Sequence, residues 1–250
     1  FNDLPAAQAH AQQRQQAGLR LIAELLLDCA ALRRRAASQE TERVLQQLQD
    51  SLRQREQRCV DALLQLYAFD SSDAQAEALP LLDGRWGDDL FNPETLRQLG
   101  IHLGSGMAAG AAAGVGVDLL VGGMTLGAAA ALGALAGGGV QTVRNYGARL
   151  LGKLKGQREL SVDDSILRLL GLRQLQLLSA LQRRGHAAQQ PLQVQVEPAH
   201  WQQGKLPAAL QQARAHPQWC SLDTPFNPAQ PRRQAALQQL QADLSARHAG

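Results

Sequence analysis

GIHLGSGMAAGAAAGVGVDLLVGGMTLGAAAALGALAGGGV, residues 100–140, decides how this chain is read. Its only formal charge is Asp118, and it holds thirteen of the 23 glycines in the protein. A glycine inside a helix costs about 1 kcal/mol relative to alanine, so scattered glycines would argue against helix. These are not scattered. Gly106, Gly110 and Gly114 recur every four residues, as do Gly123 and Gly127, and Gly133 and Gly137. Four-residue spacing lines bare backbone along one helix face, where a second helix can approach closely. Val121-Gly122-Gly123 interrupts the run, and Thr125 is placed to cap a restart. The pattern predicts two antiparallel helices, 101–120 and 125–146, packed through their glycines.

Each predicted arm is about 20 residues, or about 30 Å at 1.5 Å per residue, the thickness of a bilayer core. Two readings stay open: a hairpin that inserts into or touches a membrane, and a glycine zipper buried in a helical scaffold or oligomerisation domain. Asp118 is tolerable in a bilayer only near the hairpin tip.

Charge is laid out around this stretch. Residues 70–99 carry seven acids against Arg85 and Arg97, and residues 144–185 carry nine bases against three acids. The overall formal charge of +3 conceals this polarity. Arg144, Arg149, Lys153, Lys155 and Arg158 follow the apolar run. They suit anionic headgroups on a cytoplasmic membrane face, or the acidic 70–99 segment of the same chain.

Outward from the centre, the sequence predicts an all-α, multi-helix domain. Strand-like alternation is almost absent and aromatics are only 4% of residues. Residues 1–69 read as a long helical hairpin, with helices over 6–37 and from Ser38–Glu42 to Phe69, packed antiparallel. Arg33–Arg35 is expected at the end of the first helix, where cations favour the dipole. They can meet phosphate or lipid there, or simply face solvent. Residues 70–99 are an acidic loop region punctuated by turn signals, with Asn92-Pro93-Glu94 opening a helix. Asp88 and Asp89 are candidates for a metal, for docking or for a turn cap. Residues 147–190 form a basic segment and a core helix, with Ser161 as expected cap and Gly185 as stop. Residues 191–250 are peripheral, with PLQVQVEP (191–198) as the alternating exception and a final helix over 232–247.

Catalytic patterns are missing. The histidines have no metal-ligand spacing, and His102 and His186 read as structural or surface groups. Gly147–Leu154 approaches a phosphate-binding loop, but Leu154 stands where a hydroxyl is required and no strand precedes it. No CxxC pair or Cys/His arrangement is present, so reduced, buried Cys29, Cys59 and Cys220 are expected in a cytoplasmic protein. Basic residues are not interleaved with aromatics, so nucleic acid is not an expected partner. The chain begins at Phe1 without an initiator Met and reads as part of a longer protein. This chain is therefore expected to be no enzyme, with no cofactor or metal of its own.

Four blocks, GRWGDDLFNP (84–93), GSGMAAGAAAGVGVDLLVGGMTLGAA (104–129), NYGARLLGKLKGQRELSVDD (145–164) and LRQLQLLSALQRRGHAA (172–188), resemble a bacterial C-terminal domain of unknown role. That domain follows an Era-type GTP-binding domain. The resemblance spans about residues 15–190. It implies a GTPase domain in cis, with GTP and Mg bound there, and a chain that serves as its effector half. It carries no catalytic residue onto this sequence.

Overall fold

The computed structural model describes residues 4–69, 79–98, 115–118, 157–185 and 205–248. These are mostly helical, as the sequence predicts. Helix α1 (Leu4–Ala31) is the axis of the fold. Its second half, from Leu19 to Leu32, is buried nearly all round. Four helices share its surface: α2 (Thr41–Leu66), α4 (Asp164–Gly185), α5 (Ala208–Ala215) and α6 (Pro231–His248). A short α3 (Pro93–Gln98) closes the acidic loop.

Contacts fix the directions. Asp28 meets Arg55, the Leu21 carbonyl meets Cys59, and Arg14 lies over Tyr67. Numbers fall on α1 as they rise on α2, so this pair is antiparallel, as predicted. Arg233 reaches Asp28 and Gln241 reaches Gln16, which makes α6 antiparallel to α1 as well. A Cβ on Gly18 would lie 2.7 Å from Leu178 Cδ1, so α1 and α4 touch where a side chain is missing.

The helices end close to expectation except where a sheet intervenes. Three strands, β1 (Arg33–Ala37), β2 (Val115–Asp118) and β3 (Gln157–Val162), form an antiparallel sheet in the order β1-β3-β2. This corrects three sequence expectations. Arg33–Arg35 do not end a helix: α1 stops at Ala31, and the Arg33 guanidinium caps it by donating to Ala30 and Leu32 carbonyls at 3.2 and 2.9 Å. Ser161 does not cap α4. It sits within β3, and Asp163 Oδ1 accepts from the Ser165 amide at 2.8 Å instead. Val115–Asp118 do not continue a helix to residue 120; they are extended, and Asp118 lies opposite Glu159 rather than at a hairpin tip.

Central β3 explains the pairing physically. Leu160 and Val162 alternate inward and are fully buried. On its other face Glu159 lies 3.5 Å from Arg33, at the diagonal position on β1, and 3.8 Å from Arg35, directly opposite it. Arg34 points the other way and pairs with Asp223 at 2.8 Å. Basic residues that favour a solvated helix end when taken alone are drawn into a strand by acids distant in sequence.

Candidate functional site: the docked acidic loop and the base of the glycine-rich segment

Two buried carboxylates organise the interior. Asp28, 1% exposed, accepts from Arg55 at 2.8 Å, Arg233 at 3.3 Å, and the Ser221 amide and hydroxyl at 2.9 and 2.6 Å. Arg233 also donates to the Trp219 carbonyl at 2.9 Å. One carboxylate thereby joins α1, α2, α6 and the loop residue Ser221. Its lone pairs are satisfied by donors, which is what a buried charge requires.

Glu56 is the second. Gln174 donates to it at 3.2 Å and the Arg173 guanidinium lies 3.5 Å away. Burial pushes its carboxyl above the usual range, while Arg173 pulls it down. Arg173 extends the link outward. It donates to the Asp88 carbonyl at 2.6 Å and stacks over Trp86, 5.2 Å from the ring centre. Arg53 then holds the next residue, with Nε and Nη2 at 2.7 and 3.0 Å from the two oxygens of Asp89. Hydrogen bonding to Arg53 holds the Asp89 carboxyl below its usual range. The Asp89 carboxylate also accepts from the Phe91 amide at 3.3 Å, and Arg53 lies over the Phe91 ring.

The loop's tip is built locally. Leu82 and Arg85 exchange backbone hydrogen bonds at 2.8 and 2.9 Å around Asp83 and Gly84, both at positive φ, a two-residue turn matched to strand twist. Gln57 of α2 donates to the Gly84 carbonyl at 3.0 Å. Asn92 caps α3 through the Glu94 amide, as the Asn-Pro-Glu sequence predicts. Thus the Asp88 carbonyl and the Asp89 carboxylate fasten the loop to α4 and α2 of the same chain.

The sheet sets the second half of the site. Val115 faces Val162 and Asp118 faces Glu159 on adjacent strands. The strands on either side of residues 119–156 are therefore hydrogen-bonded neighbours. Gly106, Gly110, Gly114, Gly123, Gly127, Gly133 and Gly137 lie outside the described residues. So do Arg144, Arg149, Lys153, Lys155, the Gly147–Leu154 stretch, His102, His186 and PLQVQVEP. Arg158 is on β3, opposite Ala36. Among the described residues no helix is long and apolar enough to cross a membrane, and no cluster of His, Cys, Asp or Glu could hold a metal ion.

All three cysteines are free and buried. Burial pushes the Cys59 and Cys220 thiols up to about 12 and raises Cys29 well above its ordinary value, which keeps them protonated at neutral pH. Asp28, Glu56, Arg173 and Arg233 are absent from the sequence-level candidates. Asp28 and Arg173 gave a faint signal, each interrupting an apolar run, LLLDCAAL (25–32) and LRQLQLL (172–178), whereas Glu56 and Arg233 lie in the polar stretches RQREQR (53–58) and PRRQ (231–234) and gave none.

This arrangement defines a class: a mostly helical domain with a small antiparallel sheet, two buried ionic hubs and a docked acidic loop. The chain belongs to the family described as "Domain of unknown function (DUF3482)", whose model matches residues 4–242. No curated protein and no solved structure matches it.

Proposed function

We propose that this chain is the non-catalytic effector module of a bacterial GTP-binding protein. Its helical body holds the glycine-rich segment at a fixed base, and that segment engages a membrane or a partner helix. The GTPase domain would lie in cis, with GTP and Mg held there, and the module would act at the cytoplasmic face of the inner membrane. The observation that carries this reading is the side-by-side register of β2 and β3. It places the two ends of residues 119–156, Asp118 and Gln157, on neighbouring strands of one sheet. Such a root lets motion of the body reorient the excursion as a unit, the requirement for a switch with two discrete placements. The sequence resemblance supplies the GTPase, and the bases Arg144, Arg149, Lys153 and Lys155 on the returning limb supply the preference for anionic lipid.

Co-sedimentation with vesicles containing anionic phospholipid tests it. Each base near such a surface is worth about 1 kcal/mol, so Arg149→Glu with Lys153→Glu and Lys155→Glu should weaken binding by about 3 kcal/mol, roughly a hundredfold. Absence of binding by the unmutated chain would overturn the membrane half of the proposal in favour of a scaffold or homo-oligomer built on the same hairpin.

A further inference from the structure

We draw no further inference here: the strongest candidate, the turn of the acidic loop that holds Leu82 72% exposed beside Asp83 and Arg85, offers a single apolar side chain, and nothing in the structure shows what covers it.

Discussion

Asp28 concentrates three donors from distant parts of the chain on one carboxylate, so its removal should be felt far beyond its own helix. Asp28→Ala leaves the guanidiniums of Arg55 and Arg233 buried without their anion, and breaking a buried pair costs about 3–5 kcal/mol. Ser221→Ala removes only a neutral donor and should cost about 1 kcal/mol. Urea denaturation separates the two. Glu56 contributes through pH instead. Its carboxyl titrates higher when folded than when unfolded, because burial penalises the charged form. The folded state thus binds the proton more tightly, and stability falls as pH rises from the unfolded value through the folded one. Glu56→Gln deletes that titration. The stability of the variant relative to the unmutated protein should climb with pH across this window and level off above it; a pH-independent difference would refute the assignment. Asp89 has the opposite sign: its lowered value adds stability that is lost as pH falls through the folded value. Because this pair is partly exposed, Asp89→Asn should cost less than about 1 kcal/mol at neutral pH.

At the scale of elements, α2 and α4 were legible because their apolar residues recur with helical period over many turns, and tertiary packing agrees with that local preference. Asn92 marked the start of α3 correctly because a cap is a local property. The strands were not legible. Arg33–Ala37 has little strand preference, and its conformation is imposed by Glu159 and the β3 ladder, more than a hundred residues away. QRELSV (157–162) alternates, but with only Leu160 and Val162 on its inner face the pattern is too short to stand out. The buried hubs escaped for a related reason: a single charge, in an apolar run or a polar one, gives no sign of which distant charge will answer it. The acidic loop offers a test at this scale. Arg173→Met should destabilise by about 3–5 kcal/mol, because Glu56 is left buried and unpaired, whereas Arg173→Met combined with Glu56→Leu should recover most of that loss. Both variants lose the Arg173 bond to Asp88, so both should be cleaved faster than the unmutated protein within residues 81–92 under limited proteolysis. Recovery of stability without recovery of loop protection would separate the two duties of Arg173.

Seen as a whole molecule, the chain wraps four helices around α1, with α2 and α6 antiparallel to it, and uses a three-stranded sheet to bring remote stretches of sequence together. The sheet makes the size of the glycine-rich excursion separable from the stability of the body. Closing a loop costs roughly (3/2)RT ln n, so exchanging residues 119–156 for an Asn-Gly pair should favour folding by about 2 kcal/mol through loop entropy alone. With Asp118 opposite Glu159, Asn-Gly followed by Gln157 and Arg158 makes a four-residue connection, a length that antiparallel hairpins accommodate. The shortened protein should therefore unfold at a temperature no lower than the unmutated chain and keep the helical circular dichroism of its body. It should also lose vesicle binding altogether, since the limb bearing Arg144 to Lys155 is gone. If the shortened chain instead fails to fold, residues 119–156 supply core surface that the body cannot do without. The excursion would then be a structural wall of the scaffold rather than the part that reaches a membrane.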